Sequence, residues 1–139
     1  MKSLRIAIVG ATGLVGTTVL KILEERNLPI ATMLPVASEK SIGKLINFGG
    51  EKVAIVSLES ALSEKPDVAI FSAGGKVSQE WAPKFSDAGV TVIDNSSAWR
   101  MSEKIKLVVP EVNGDCLTSS DMIIANPNCT TMQLVMVLK

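Results

Sequence analysis

The sequence predicts an α/β domain, a doubly wound and mostly parallel sheet with helices on both faces. Three observations carry that expectation. Short, nearly continuous apolar runs recur along the 139 residues, as strands buried on both faces require. They alternate with segments of helical periodicity, the pattern that builds parallel sheets through crossover connections. Small or polar residues (Gly10, Ser72, Asn95 and Asn128) follow the runs, so in a parallel sheet they share the carboxyl edge, where such folds bind ligands.

In chain order, Arg5-Ile6-Ala7-Ile8-Val9 reads as the first buried strand, and residues 17–26 as a helix with Val19, Leu20, Ile22 and Leu23 on its apolar side. Between them lies Gly10-Ala11-Thr12-Gly13-Leu14-Val15-Gly16. Its glycines stand at the first, fourth and seventh positions, not in G-x-G-x-x-G spacing. They still supply a tight turn, close backbone approach to a pyrophosphate and close helix–strand packing, and the helix start faces the phosphates. This strand–turn–helix opening reads as dinucleotide-binding and Rossmann-like; a merely structural glycine turn is the competing reading.

Residues 29–37 form the second strand, with Pro35 implying an irregular or edge-like course. Where an NAD-selective protein places an acid for the ribose 2′-hydroxyl, this chain has Ser38-Glu39-Lys40-Ser41-Ile42-Gly43-Lys44. Two hydroxyls and two ammonium groups around one acid suit a 2′-phosphate, so NADP is expected over NAD; the alternative is a solvated polar loop. Residues 46–50 read as a turn, 52–56 as a short strand and 58–64 as one or two helical turns. Val68-Ala69-Ile70-Phe71 is another buried strand. It ends at Ser72-Ala73-Gly74-Gly75, small residues expected to touch the cofactor.

Residues 77–88 are amphipathic, with Val77, Trp81, Phe85 and Ala88 on one face and Gly89 as a terminating glycine; Trp81 reads as a packing residue. Thr91-Val92-Ile93-Asp94 is the next strand and runs into Asn95-Ser96-Ser97-Ala98-Trp99-Arg100. Arg100 can grip a phosphate or carboxylate with two donors, or be an ordinary surface arginine. Residues 106–109 lead to Pro110-Glu111-Val112-Asn113, residues 115–120 connect, and residues 122–125 form the last strand before Asn126-Pro127-Asn128-Cys129-Thr130-Thr131.

Cys129 falls where that tight turn becomes a helix, with Met132, Val135, Met136 and Leu138 at helical spacing. Unpaired N–H groups and the positive end of the macrodipole favour the thiolate there, and the thiolate is the nucleophile. A small buried hydrophobe is the competing reading. Convergence of the strand-end turns on one edge brings cofactor and Cys129 together and favours the nucleophile.

Composition narrows the classes. Apolar residues make 47% and charged residues 20%, ordinary for a soluble globular domain. Lys+Arg and Asp+Glu balance at 14 each, so neither a nucleic-acid nor a membrane surface is expected. No run approaches the roughly 20 apolar residues of a membrane helix, and the start has no signal-peptide core; a cytoplasmic location is expected. Cys116 and Cys129 fit no zinc spacing. Histidine is absent, which removes the commonest metal ligand and general base. No metal site is expected.

Taken together, the glycine turn, the 37–44 loop, Phe71-Ser72-Ala73-Gly74-Gly75, Ile93-Asp94-Asn95-Ser96-Ser97-Ala98-Trp99-Arg100-Met101, Val109-Pro110-Glu111-Val112-Asn113 and Asn126-Pro127-Asn128-Cys129-Thr130-Thr131 resemble aspartate-semialdehyde dehydrogenases over essentially the whole chain. The related N-acetyl-γ-glutamyl-phosphate reductases carry a Pro-Gly-Cys-type motif at the nucleophile, which Asn126-Pro127-Asn128-Cys129 does not match.

The resemblance implies an NADP-dependent reductase of the aspartate pathway toward lysine, methionine and threonine. It would interconvert L-aspartyl 4-phosphate and L-aspartate 4-semialdehyde with uptake or release of phosphate. By that resemblance Cys129 forms the acyl thioester, and Arg100 with Asn128 binds the departing phosphate. Gly10, Thr12, Gly13, Leu14 and Val15 lie on the pyrophosphate, Ser38, Lys40 and Ser41 near the 2′-phosphate, and Ser72, Ala73 and Gly74 near the ribose and nicotinamide. The family runs to roughly twice this length, in line with a second domain. That domain supplies the histidine acid/base, the arginine for the substrate carboxylate and most homodimer contacts. Residues 1–139 therefore read as the NADP-binding domain carrying the nucleophile, without the second domain, and little turnover is expected from them alone. An exposed apolar patch and self-association are expected as well. A non-catalytic nucleotide-binding module with a packed Cys129 is the alternative.

Overall fold

The computed structural model describes residues 3–139. Strand β1 (Leu4–Val9) passes through the glycine turn into helix α1 (Leu14–Glu25) and strand β2 (Ile30–Val36). A 3-10 turn at Glu39–Ser41 precedes β3 (Leu45–Phe48), β4 (Glu51–Ala54) and α2 (Leu58–Ser63). Then come β5 (Val68–Phe71), α3 (Gly75–Asp87), β6 (Thr91–Asp94), β7 (Lys106–Leu107), α4 (Pro110–Asn113), a 3-10 turn at Gly114–Cys116, β8 (Ile123–Ala125) and α5 (Cys129–Leu138).

Six strands form one sheet in the order β2-β1-β5-β6-β8-β7, and every neighbouring pair is parallel. The chain leaves β1 toward β2 on one side and returns to β5 on the other, so the order reverses between β1 and β5. That is the switch point at which doubly wound sheets open a crevice. Side chains alternate across β1. Ala7 and Val9 join Val36, Ala69, Phe71 and Val92 under Ala82 and Phe85 of α3. Ile6 and Ile8 face the opposite layer with Leu20 of α1 and Met33. Both faces are thus covered, as expected. Phe71 and Phe85 meet edge to face, with centroids 5.4 Å apart, and each fully buried ring contributes about 1.5–3 kcal/mol.

Pro35 behaves as its type dictates. It lies in β2, the outer strand of the sheet, opposite Ile8, and its carbonyl accepts from the Val56 N–H at 2.9 Å. Trp81 packs half-buried against the core, as expected. Two local expectations, for residues 46–50 and for the start of α1, need correction. Residues 46–50 are not simply a turn: Leu45–Phe48 is a strand paired antiparallel with Glu51–Ala54, and only Gly49 and Gly50, at φ 61° and 82°, make the reversal. Ile46 and Phe48 pack against the α1-side layer, and that apolar alternation is the signal the glycines obscured. Helix α1 begins at Leu14 rather than Thr17, because Gly13 in extended backbone already serves as its cap. Strand β7 stops at Leu107, and Val109 becomes the cap of α4 with Pro110 in its first turn, a position proline favours.

The connector before β8 is held by one carboxylate. Asp121 Oδ2 accepts from Lys106 Nζ at 2.7 Å and from the Thr118 N–H and hydroxyl at 2.6 and 2.8 Å. Lys106 first, then Thr118, hold its carboxyl down from the usual 3.8 to about 2. A depressed carboxyl contributes stability above its unfolded pKa and loses it as pH falls through the folded one. Between about pH 4 and 2, wild type should therefore lose more stability than Asp121→Asn, read as urea midpoints at each pH. Equal losses would detach Asp121 from the acid response.

Helix α5 ends the chain with Leu134, Val137 and Leu138 at 55%, 84% and 73% exposure. The expected apolar patch is present; of the four periodic residues only Met132 and Val135 are half-buried. Among the described residues, no helix is long and apolar enough to cross a membrane.

Candidate active site

Because the strands are parallel, the turns after β1, β5, β6 and β8 open on one edge of the sheet. At the switch point the turns after β1, β2 and β5 leave a cleft of about 350 Å³, lined by Gly10, Thr12, Gly13, Ser38, Ser72 and Ala73 together with Val9, Val36, Ala37, Leu58 and Val77. The first six are cofactor residues expected from the sequence. Leu14, Val15, Lys40, Ser41 and Gly74 do not line it: Leu14, Val15, Lys40 and Gly74 are exposed at its margins in sequence and Ser41 is half-buried in the 3-10 turn. The apolar wall was not foreseen. Strand-terminal Val9 and Val36 and first-turn Leu58 and Val77 read as ordinary core, and only their positions beside strand ends distinguished them.

The glycines act as distinct parts. Gly10 has φ +94°, and a Cβ there would lie 2.5 Å from the Ser72 carbonyl oxygen, so this position lets the turns after β1 and β5 touch. A Cβ at Gly16 would lie 2.1 Å from the Gly10 oxygen, which requires glycine for α1 to seat against the turn. Gly13 is different: it caps α1 without a side-chain bond, and its Cβ would meet only the Gly10 oxygen at 3.4 Å. The first N–H groups of α1 have no intrahelical acceptor and sit at the positive end of its dipole. Together with the cleft, this bare start fits a dinucleotide pyrophosphate.

At the other end of the edge, Cys129 is the first residue of α5, and its side chain is exposed in this chain rather than packed in its core. Asn128 caps the helix, its Oδ1 accepting from the Thr130 N–H at 2.9 Å. Cys129 Sγ stands 4.0 Å from the same oxygen. The cap consumes the acceptor of the Asn128 amide and leaves its NH₂ as the group of the right polarity for an anion.

Arg100 reaches toward the Cys129 turn. Its Nε donates to the Asn126 carbonyl at 2.9 Å and its Nη2 to the Asn95 carbonyl at 3.0 Å. Asn126 Nδ2 donates to Asn95 Oδ1. Asp94, fully buried at the end of β6, shapes the loop by accepting from the Ser96 N–H at 2.6 Å. Sequence reasoning named Arg100 but missed the two asparagines that hold it, because nothing in one dimension pairs residues 31 apart.

A parallel sheet with its crevice at the β1/β5 reversal, a bare helix start and glycines that admit close backbone approach define a dinucleotide-binding domain of the doubly wound class. The chain belongs to the family described as semialdehyde dehydrogenase, NAD binding domain, which matches residues 5–120. It is 54% identical over 138 residues to the aspartate-semialdehyde dehydrogenase of Aquifex aeolicus, covering 97% of this chain and 41% of that protein. The Legionella pneumophila relative of the same name is 47% identical, covering 99% of this chain and 40% of the relative. The crystal structure of aspartate semialdehyde dehydrogenase II from Vibrio cholerae complexed with ASA superposes with a TM-score of 0.93 at 45% identity, over 99% of this chain and 46% of that one. The chain thus spans about two-fifths of the length of the curated relatives it matches.

Proposed function

We propose that residues 1–139 are the NADP-binding, nucleophile-bearing part of an aspartate-semialdehyde dehydrogenase. The reaction is the reductive dephosphorylation of L-aspartyl 4-phosphate to L-aspartate 4-semialdehyde. The observation that carries the reading is an exposed Cys129 at a helix start, on the sheet edge that also bears the dinucleotide cleft and Arg100.

In this reading the Cys129 thiolate attacks the acyl carbon and a C–S bond forms as the C–O bond to phosphate breaks. Arg100, with the Asn128 NH₂, stabilises the leaving phosphate by charge-assisted hydrogen bonds. When bound, the dinucleotide would supply the hydride that reduces the thioester carbon, and the C–S bond then breaks, returning the Cys129 thiolate and releasing the semialdehyde. Splitting acyl transfer from reduction gives two easier steps. The sequence has no histidine, and by the family resemblance proton delivery and the grip on the substrate carboxylate belong to a second domain. A homodimeric, cytoplasmic enzyme of lysine, methionine and threonine synthesis completes the reading, supported by the family resemblance.

Thiol reactivity tests the nucleophile on this chain, because Cys116 is exposed too and serves as the internal standard. Peptide-resolved alkylation by iodoacetamide near neutral pH should modify Cys129 about five- to tenfold faster than Cys116, as a helix-start thiol requires. Equal rates, or a faster Cys116, would remove the activated nucleophile and favour a non-catalytic nucleotide-binding module. For the cofactor, Lys40→Ala with Ser41→Ala should weaken NADPH binding roughly tenfold, the scale of a lost charge-assisted contact, and leave NADH binding unchanged. Unchanged NADPH affinity would overturn the 2′-phosphate assignment.

A further inference from the structure

Arg100 is held on one edge only. A guanidinium has five N–H donors in a rigid plane. The side edge, Nε with one Nη2 hydrogen, is consumed by the Asn126 and Asn95 carbonyls at 2.9 and 3.0 Å. Among the described residues, Nη1 and the second Nη2 hydrogen have no protein acceptor, so the end edge stays open as a two-pronged donor, the geometry that takes a phosphate or carboxylate.

The carbonyls that fix this plane come from two different strand-end loops. Asn95 follows β6 and its N–H donates to the Phe71 carbonyl at 2.9 Å; Asn126 follows β8 and its N–H donates to the Asp94 carbonyl at 2.8 Å. Each residue therefore gives its main-chain carbonyl to Arg100 and its side-chain amide to the other, closed by the Asn126 Nδ2 to Asn95 Oδ1 bond. Asn126 also stands three residues before Cys129, so the same bond ties the guanidinium to the turn that carries the thiol.

We propose that Asn95 and Asn126 are positioning residues for Arg100, locking its side edge so that its end edge presents to an anion beside Cys129. This rests on the phosphate role proposed above for Arg100. Without the amide pair the two carbonyls are no longer held in one plane, the guanidinium reorients, and the anion loses one of its two parallel hydrogen bonds.

The chain's three arginines, Arg5, Arg26 and Arg100, make the test direct. Nitrogen-15 spectra of the arginine Nε–H groups are recorded during titration with inorganic phosphate, and the Arg100 signal is identified by its loss in Arg100→Lys. In wild type that signal should shift with phosphate. Asn95→Ser and Asn126→Ser should each raise the phosphate dissociation constant about five- to tenfold, and speed exchange of the Nε proton. The double variant should be no worse than either single one within about twofold, because both remove the same bond. NADPH affinity should hold within twofold in all three, which general loosening of the fold would not allow; two single variants on opposite loops keep the test alive if one misfolds. A phosphate response that Arg100→Lys abolishes but neither serine variant weakens would overturn the positioning role while leaving the anion role of Arg100 standing. Additive losses in the double variant would overturn it too. No phosphate-dependent shift in wild type would sink the anion role and this inference with it.

Discussion

Cys129→Ser, tested in the longer enzyme of which the proposed function makes this chain a part, is expected to lower kcat by about 10⁴-fold or more, the scale seen when a covalent nucleophile is removed. The dissociation constant for NADPH should move less than twofold, since the dinucleotide cleft at the β1/β5 reversal is lined by residues of other turns. Serine preserves the helix start and the Asn128 cap, whose bond runs to the Thr130 N–H rather than to position 129. Loss of activity would thus come from the nucleophile and not from a disordered turn. Rapid-quench trapping of the acyl adduct should find it on Cys129 in wild type and nowhere in the variant. A variant that kept a tenth of wild-type kcat would show that the reaction does not pass through this thiol.

The largest stability effect is expected at Gly16. An added methyl there would stand 2.1 Å from the Gly10 oxygen and 2.8 Å from the Ala11 Cα. Both obstacles are backbone, so no side chain can swing aside. Gly16→Ala should cost about 3 kcal/mol or more, a fall in Tm of about 10 °C for a domain of this size. Gly13→Ala makes the control. Its backbone, at φ −79° and ψ 169°, suits alanine, and the loss of a glycine cap costs about 1 kcal/mol. The methyl would instead crowd the bare start of α1, so nucleotide affinity should fall roughly tenfold while the fold persists. Thermal unfolding and nucleotide titration of both variants separate the roles: a stable Gly16→Ala would contradict the seating of α1 on the turn, and undiminished affinity in Gly13→Ala would move the pyrophosphate elsewhere.

Much of the fold is legible in the sequence because the strands are short apolar runs in which alternate residues are fully buried. Val68–Phe71 and Thr91–Asp94 have the bounds expected of them, since an apolar run flanked by polar loops admits one placement. The carboxyl edge followed from topology: once strands alternate with helices, the turns after them must meet. What escaped depends on distance in space. The β3–β4 hairpin was masked by its two glycines, although Ile46 and Phe48 seal the α1 layer. The cleft's apolar wall looked like core, because Val9 and Val36 are core on one side and cofactor wall on the other. Asn95 and Asn126 each read as turn formers, and only the fold shows that they bond to each other and to Arg100. Lys40 stands out in the sequence for its charge, but it sits in the 3-10 turn after Ser38, outside the lining of the cleft, so its role in the proposed 2′-phosphate contact rests on the Lys40 and Ser41 substitutions.

The proposed function makes this chain a dinucleotide-binding domain selective for NADP. The decisive experiment is titration of the chain with NADPH and, separately, with NADH, followed by fluorescence of the bound nicotinamide. Saturable NADPH binding is expected, with an affinity at least about tenfold above that for NADH, the discrimination a 2′-phosphate held by Ser38, Lys40 and Ser41 would give. Equal affinity for the two, or tighter NADH binding, would contradict the assignment of that loop. Binding of neither would contradict the claim that these residues form a competent cofactor site by themselves.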